Sequence, residues 1–159
     1  IFISYHDSII LFTDRKVKEE LKMNELQKVE DYLKQVTYFS VATVDGDKPK
    51  CRPLAFHLFL NGHLYFGVGT FKDVYKQLEE NPNLEICACN GENFLRYYGK
   101  AVFEKDNTIA DMVLSKVPAM QKIYNSQTGY QLGIFHLEHA TAEFRTKLGI
   151  AEKFEFEIG

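Results

Sequence analysis

The residues best suited to chemistry follow a short apolar stretch near the middle of the chain. Gly67 and Gly69 interrupt a run of strand-forming residues, and Thr70 follows them as a residue typical of a helix start. Lys72 and Lys76 come next, one helical turn apart, so both ammonium groups can reach one ligand. Free main-chain N–H groups and the positive end of a helix dipole favour an anion here. The pattern predicts a phosphate site, and it fits equally well a strand joined to a surface helix by a flexible corner.

Arg52 is a second candidate for binding an anion. Pro53 follows it and cannot donate to a β-ladder, which places the pair at a sheet edge or a bulge. A guanidinium there can fork onto a phosphate or hydrogen-bond a heteroaromatic ring. A solvated strand arginine has the same local pattern, so the sequence leaves both interpretations open.

The cysteines and histidines form no convincing catalytic or metal-binding set. Cys87 and Cys89 face one side of a strand, and with His136 and His139 they give C-x-C and H-x-x-H, which is poor spacing for zinc. We therefore expect these cysteines to pack in the core, and His57, in an apolar strand, to be a core or cleft histidine. The sequence contains no nucleophile-elbow or metalloprotease motif, so any chemistry would come from a cofactor.

The composition indicates one globular domain. The 159 residues are 45% hydrophobic and 14% aromatic, with a net charge of −3. A nucleic-acid-binding protein would normally show a basic surplus, and no apolar run approaches the ~18 residues of a membrane span. Three cysteines without framework spacing favour a reducing compartment. We therefore expect a cytoplasmic protein with neither nucleic acid nor membrane as a partner.

Short strands joined by tight turns dominate the pattern. Asp45-Gly46 and Asn61-Gly62 are hairpin signals between strand-forming stretches, and Gly99, inside the stretch 94–104, indicates a bulge or a bend. We expect six strands at 37–44, 50–60, 63–68, 84–89, 94–104 and 132–146, followed by an alternating tail at 153–158. Helices are expected at 23–35, after Thr70, at 106–115 and at 117–124. Consecutive strand pairs predict a mainly β, α+β fold: an antiparallel barrel with peripheral helices.

Residues 1–22 are expected to lie outside the domain, which we place at residues 23–159. Met23 opens the first clean helical segment. Lys18-Glu19-Glu20 can be encoded by a purine-rich stretch that looks like a bacterial ribosome-binding site at that distance from a start codon. We therefore hypothesise that the natural protein begins at Met23. A natural peptide containing Phe2 to Arg15 in the mass spectrum of the native protein would contradict this.

Three stretches carry a pattern that is fairly specific in combination. They are YFSVATVDGDKPKCRPL, LYFGVGTFKDVYKQLEENPNLEICA and LRYYGKAVF. With them the chain resembles the flavin-binding split-barrel superfamily, the pyridoxamine 5'-phosphate oxidase-like proteins, from about Met23 to the C-terminus. The resemblance implies a six-stranded antiparallel split β-barrel, a homodimer, and FMN bound at the subunit interface.

The resemblance also implies which residues contact the cofactor. They are Arg52, Pro53, Leu54, Phe66, Gly67, Val68, Thr70, Lys72, Lys76 and Phe94. Arg52, Pro53 and Leu54 would lie along the ring and ribityl chain. Phe66, Gly67 and Val68 would run beside the isoalloxazine. The threonine and the two lysines would hold the phosphate. The phenylalanine, in the segment 92–94, would approach the flavin from the partner subunit.

An FMN-dependent oxidoreductase of unknown substrate is the function that the resemblance implies, with NAD(P)H as a candidate electron donor. Asp73 stands where the oxidase itself usually carries the arginine of an S-R-K triplet, and the chain has no Trp with which to grip pyridoxal phosphate. The chain therefore looks like a shorter relative rather than a pyridoxamine phosphate oxidase. Arg52 is the candidate for charge near the ring, and Tyr97 or Tyr98 for the substrate side.

Two alternatives stay open at this point. One is a non-catalytic flavin-binding or sensing module. The other is a haem-binding relative of the same fold, with His57, His136 or His139 as the ligand.

Overall fold

The computed structural model describes the backbone of residues 5–159 and the side chains of residues 11–159. Within these residues the chain forms four helices and eight strands. In chain order they are α1 (Tyr5–Leu33), β1 (Phe39–Asp45), β2 (Lys48–Leu54), β3 (His57–Leu60), β4 (His63–Gly69), α2 (Asp73–Glu80), β5 (Asn83–Asn90), β6 (Asn93–Phe103), α3 (Thr108–Lys116), α4 (Pro118–Gln121), β7 (Leu132–Thr146) and β8 (Gly149–Ile158). The fold is α+β and mainly antiparallel sheet, as the sequence predicted.

The strand order explains why the barrel is split. The strands follow one another as β2-β1-β5-β6-β7-β4-β3, and β8 pairs with β7. β2 and β3 therefore stand at opposite ends of the sheet, although only Ala55 and Phe56 separate them in the chain. The sheet must curl until these two ends approach each other. Within the described residues no ladder joins β2 to β3, so the barrel stays open along that seam.

The strand count differs from the expected six because of two local features. The stretch 50–60 forms two strands, since β2 pairs with β1 whereas β3 pairs with β4. Pro53 lies on the edge strand β2, where its missing N–H costs no ladder hydrogen bond. The alternating tail forms β8, in which Phe154 pairs with Ala142 and Phe156 pairs with Ala140.

Both predicted hairpin turns are confirmed. Asp45 pairs with Lys48 around a two-residue loop that begins with Gly46 at φ 63°. Leu60 pairs with His63 around Asn61 and Gly62, whose φ angles are 52° and 82°. Two consecutive positive φ angles are the mark of a type I′ turn, which matches the right-handed twist of the flanking strands.

Helix α1 begins well before Met23, where the sequence predicted its start, and it ends at Leu33. Leu26, Val29 and Leu33 are buried against the barrel, so the apolar face predicted for this segment is confirmed. The helix runs through Met23 without a break, and the domain boundary placed there stays a prediction. None of the helices within the described residues is long and apolar enough to cross a membrane.

The core has two parts that share strand β4. Phe66 faces the barrel interior, where its ring contacts those of Phe39, Tyr97 and Phe135. Its neighbour Tyr65 faces the opposite side and belongs to a smaller cluster beneath α3 and α4. This alternation follows from the two-residue period of a strand. It leaves β4 covered on both faces.

A bulge interrupts the pairing of β6 with β7 at Gly99, as the sequence predicted. The register slips between Tyr98 and Lys100, so that two residues of β7, His139 and Ala140, oppose the single Gly99. A Cβ atom on Gly99 would lie 2.8 Å from the Glu138 carbonyl oxygen and 2.9 Å from the Ala140 Cα. Main-chain atoms cannot move aside as a flexible side chain can, so glycine is required here.

We expect Gly99→Ala to lower the free energy of unfolding by about 1–3 kcal/mol, because the added methyl group overpacks the bulge. Urea unfolding followed by circular dichroism measures this. Lys100→Ala, at the exposed neighbouring position, is the control and should change the free energy by less than about 0.5 kcal/mol. Equal stability of Gly99→Ala and the unchanged protein would contradict the close main-chain packing.

Candidate functional site

Arg52 connects β1, β2 and α2 through its guanidinium. Its Nη1 donates to the Val41 carbonyl oxygen at 3.2 Å and to Thr43 Oγ1 at 2.5 Å, and its Nη2 donates to Gln77 Oε1 at 2.7 Å. The Thr43 hydroxyl donates to the same amide oxygen at 2.6 Å. Gln77 is buried in the middle of α2. The two predicted anion-binding features, Arg52 and the lysine-bearing helix, therefore lie side by side.

The guanidinium of Arg52 keeps donors for a ligand. It has five N–H groups, and three of them meet the partners named above. No partner in the described part of the chain meets its Nε or the second hydrogen of Nη2. Burial lowers the pKa of Arg52 from its usual value, and the nearby Asp73 carboxylate acts in the opposite direction. An arginine stays charged at any physiological pH, so the group presents a fixed positive charge next to α2.

Helix α2 begins at Asp73, with Lys72 at the N-cap position. The prediction that Thr70 starts this helix is wrong. The Thr70 N–H and hydroxyl both point to the Gln131 carbonyl oxygen, at 3.0 and 3.4 Å, so this loop is tied to the start of β7 instead. No side chain caps the helix, and the N–H groups of Asp73 and Val74 have no main-chain acceptor among the described residues. These two donors are open to an anion.

Lys72 and Lys76 are exposed on the first turns of α2. Across residues 11–159, neither ammonium group has a carboxylate oxygen within 4.0 Å, although Asp73 stands between them in the chain. The Lys72 Nζ lies 6.0 Å from the centroid of the Phe71 ring. Both cations are therefore available for an anion at this end of the helix.

An aromatic pair covers the corner between β4 and α2, which the sequence did not predict. The rings of Phe71 and Tyr130 stack with centroids 4.1 Å apart, and both side chains are exposed. A Cβ atom on Gly69 would lie 2.6 Å from the Phe71 ring. Gly69 lets the Phe71 ring lie against its main chain, and a side chain there would require this exposed ring to move.

Phe66, Gly67 and Val68 are buried in β4. The side chains of Phe66 and Val68 point into the barrel core, and a Cβ atom on Gly67 would lie 3.0 Å from the Phe56 ring. The main chain of this segment is paired with β7, so its contact with a flavin stays a prediction.

The remaining predicted residues lie on different parts of the sheet. Pro53 is exposed on the edge strand β2, and Leu54 packs partly against the barrel core. Phe94 lies at the start of β6, three strands from β2, with the Arg145 guanidinium 5.8 Å from its ring centroid. One chain therefore does not bring Phe94 next to Arg52. Its predicted contact with the flavin from a second subunit stays a prediction.

A charged network that sequence reasoning missed covers one face of β5, β6 and β7. This face points away from the barrel core, and we call it the outer face. Arg96 Nη2 donates to Glu85 Oε2 at 2.8 Å, the Tyr98 hydroxyl donates to Glu143 Oε1 at 2.9 Å, and Arg145 Nη1 donates to Glu143 Oε2 at 2.6 Å. The hydrogen bond from Arg145 lowers the pKa of Glu143 below its usual value. Charged residues at alternate strand positions were the available signal, but the strand register was needed to pair them.

The two tyrosines proposed for the substrate side differ in their surroundings. Tyr97 is fully buried in the barrel core, and its hydroxyl has no hydrogen-bond partner there. Burial raises the pKa of Tyr97 above its usual value. Tyr98 points to the outer face, where its hydroxyl meets Glu143. Of the two, Tyr98 is the one that a ligand can reach.

The expected core packing of the cysteines is wrong. Cys89 is exposed and Cys87 is half-buried, because both point to the outer face of β5. Burial raises the pKa of Cys87 to about 11, so this thiol stays protonated and unreactive at neutral pH. Within residues 11–159, no group of three or more His, Cys, Asp or Glu side chains is placed to hold a metal ion.

Each histidine considered as a haem ligand already has a carboxylate partner. His57 Nδ1 lies 2.6 Å from Glu30 Oε2 beneath α1. His136 Nδ1 lies 2.8 Å from an oxygen of Glu104. His139 Nδ1 lies 3.0 Å from a carboxylate oxygen of the exposed Glu157. His57 is a partly buried histidine with a satisfied ring nitrogen, as the sequence predicted.

The match to a protein family decides how this arrangement is to be understood. A sequence model of the pyridoxamine 5'-phosphate oxidase family matches residues 26–143, more than half of the chain. The chain belongs to this family. The resemblance found in the sequence is therefore confirmed. No curated protein sequence matches this family member significantly.

Solved structures share the fold of this family member. A NimC/NimA family protein from Clostridium acetobutylicum is 24% identical, with a TM-score of 0.77 and coverage of 87% of this chain and 96% of that one. A pyridoxamine 5'-phosphate oxidase-related, FMN-binding protein from Nostoc punctiforme is 15% identical, with a TM-score of 0.50 and coverage of 84% and 95%. A haem-binding protein from Mycobacterium smegmatis is 16% identical, with a TM-score of 0.53 and coverage of 77% and 53%. At these identities the likeness shows the fold alone.

Proposed function

We propose that this family member is an FMN-dependent oxidoreductase, in which Arg52 and the start of α2 hold the phosphate of the cofactor. The observation that carries the proposal is the hydrogen bond of Arg52 to Gln77, which fixes a guanidinium beside the helix that bears Lys72 and Lys76. An FMN-binding structural neighbour supports the choice of cofactor.

The donors present fit a phosphate. Three cations lie on or beside α2, and the open N–H groups of Asp73 and Val74 add neutral donors. A phosphate dianion needs this combination of charge and hydrogen bonds. Asp73 places one negative charge in the same turn, and the three cations outnumber it.

When bound, FMN supplies the hydride and electron transfer that no side chain of this protein provides. The residues of the chain position the cofactor. Arg52 cannot swing freely, because three hydrogen bonds to β1 and α2 hold its guanidinium. Pro53 and Leu54 continue along β2 as an apolar edge for the ring and ribityl chain. NAD(P)H is the electron donor that we propose, with the substrate left open.

A homodimer is part of the proposal. Phe94 lies three strands from β2, so we assign it to the cofactor held by the other subunit and not to the one beside Arg52 of its own chain. The FMN would then lie at the subunit interface. Three free cysteines agree with a reducing compartment, and we place the protein in the cytoplasm on that ground.

Haem is the second candidate cofactor, because a haem-binding protein is among the structural neighbours. A haem ligand must offer a free imidazole nitrogen to the iron. His57 and His136 are both largely buried, and His136 Nε2 lies 3.5 Å from a carboxylate oxygen of Glu138. The cations around α2 favour a phosphate-bearing cofactor over haem.

Anaerobic reduction separates an oxidoreductase from a flavin-binding module. We expect NADPH to bleach the flavin absorption of the FMN-loaded protein at about 450 nm under nitrogen, because a reduced nicotinamide can pass a hydride to the flavin. Free FMN with NADPH is the control for the uncatalysed reaction. If the protein binds FMN but neither NADPH nor NADH bleaches the bound flavin faster than free FMN, then the protein is a non-catalytic flavin-binding module.

A further inference from the structure

Two cysteines lie next to each other on the outer face of β5, and the proposed function uses neither of them. Ile86 and Ala88 point into the barrel core, so Cys87 and Cys89 point to the opposite face at alternate positions. Cys87 is half-buried and Cys89 is exposed. The third cysteine of the chain, Cys51, lies on β2, two strands or about 10 Å from β5. Cys87 and Cys89 are therefore a pair of neighbouring thiols that stands apart from Cys51.

The spacing of the pair suits a metal ion better than a disulfide. Residues i and i+2 of a strand are about 6.6–6.8 Å apart, and their side chains are parallel. A disulfide brings the Cβ atoms to about 3.5–4.5 Å, so closing one here would bend the strand. Metal–thiolate bonds are about 2.3 Å long, as in zinc sites, so a linear ion spans about 4.6 Å between its two sulfur atoms. The two side chains cover that span by leaning towards each other.

The two thiols already interact. Burial raises the pKa of Cys87 to about 11, and contact with the Cys89 thiol contributes to the rise. The Glu85 carboxylate raises this pKa further, whereas Arg96, which pairs with Cys87 in the register of β5 and β6, lowers it. Cys87 therefore holds a proton at neutral pH, and a metal ion has to displace this proton in order to bind.

The acidic side chains near the pair are not free to act as additional ligands. Glu85 accepts hydrogen bonds from Arg96 with both of its oxygen atoms, and Glu143 accepts one from Arg145 at 2.6 Å. Among residues 11–159, no third His, Cys, Asp or Glu completes a metal-binding group with the two cysteines. A structural zinc site needs four protein ligands and a catalytic one needs three. Of the metals that thiolates select, Cu(I) is the one that two ligands satisfy.

We propose that Cys87 and Cys89 bind one Cu(I) ion between their sulfur atoms. The two thiols release two protons to the solvent and the ion brings one positive charge, so the site becomes more negative by one charge and no electron is transferred. The proposal does not depend on FMN, since none of the residues assigned to the cofactor is a ligand. Phe94 lies opposite Cys89 in the register of β5 and β6, so FMN affinity has to be followed in the same experiments.

Anaerobic titration of the FMN-loaded protein with Cu(I), in competition with the chromophoric chelator bicinchoninate, tests the site. We expect each chain to withhold one Cu(I) from the chelator, and X-ray absorption at the copper edge to show two sulfur neighbours. Cys87→Ser and Cys89→Ser should each weaken Cu(I) binding at least about a hundredfold, because each removes one of only two ligands. Cys51→Ser is the matched control, since it removes the other exposed cysteine, and it should leave binding unchanged.

The pH dependence of Cu(I) binding is a second measurement on the same site. Cys87 has a pKa of about 11 and must release its proton, so the affinity for Cu(I) should rise at least about tenfold per pH unit from about pH 6 to about pH 8. FMN affinity should stay within about twofold in all three serine variants, so failure of this proposal and failure of the FMN proposal are distinguishable. No withheld copper, one Cu(I) shared by two chains, a third protein ligand, or equal losses in Cys51→Ser and Cys89→Ser would overturn the proposal.

Discussion

FMN is expected to bind at least tenfold more weakly to the double variant Arg52→Ala/Lys72→Ala than to the unchanged protein, a loss of at least about 1.4 kcal/mol. The variant removes the guanidinium that Gln77 holds beside α2 and the free ammonium at the helix start. The phosphate then keeps only Lys76 and the N–H groups of the first turn. Quenching of FMN fluorescence on titration with protein measures the dissociation constant.

The controls for this experiment separate binding from folding. Lys105→Ala removes an exposed lysine in the segment between β6 and α3, and it should leave FMN affinity unchanged. Arg52→Lys keeps the charge but loses the planar fork, so it should recover only part of the affinity. Lys72→Ala alone removes a side chain without an ion pair among the described residues, so it should fold normally. Unchanged affinity in the double variant would remove both residues from the site.

Phe66→Ala is expected to lower the free energy of unfolding by about 3–5 kcal/mol, because it opens a cavity in the centre of the barrel. Phe66 is 0% exposed, and its ring contacts those of Phe39, Tyr97 and Phe135. The loss follows from packing alone, so it should be found in protein freed of cofactor. Urea unfolding monitored by circular dichroism gives the free energy.

Phe71→Ala is the control, since Phe71 lies in the loop that follows β4 and is 42% exposed. Its ring stacks on Tyr130 at the surface, and its removal should cost about 1 kcal/mol or less. If Phe66→Ala destabilised the protein no more than Phe71→Ala, then Phe66 would not be a core residue, and its place beside the flavin would gain support.

The parts of the fold that the sequence predicted are those that local chemistry decides. Asn61-Gly62 forms a tight hairpin because few other residue pairs accept two positive φ angles. Gly99 marks a bulge because a side chain would meet the main chain of β7. Pro53 lies on an edge strand because it lacks a ladder donor. Each of these signals is complete within a few residues.

The features that the sequence did not predict depend on contacts between distant segments. The sequence predicts one strand over 50–60, but the strand breaks at Ala55 and Phe56 because β2 pairs with β1 whereas β3 pairs with β4. Thr70 is a residue type that often caps a helix, but its hydroxyl donates a hydrogen bond to the Gln131 carbonyl oxygen. The helix therefore begins at Asp73 instead.

The same distinction between local signals and contacts of distant segments applies to the candidate site. The lysines of α2 and the glycines before them form a local pattern, and they were predicted as an anion site from the sequence. The partners of Arg52 were not predicted, because Thr43 and Gln77 are ordinary residues until β1, β2 and α2 come together. The network around Glu143 was missed for the same reason, since it needs the register of three strands.

Titration of the purified protein with FMN, followed through the absorption spectrum of the protein, tests directly whether this family member binds FMN. We expect saturable binding of one FMN per subunit, which gives a yellow protein that absorbs at about 450 nm. Absence of FMN binding, or a haem-bound protein with a strong band at about 400 nm that FMN does not displace, would contradict it.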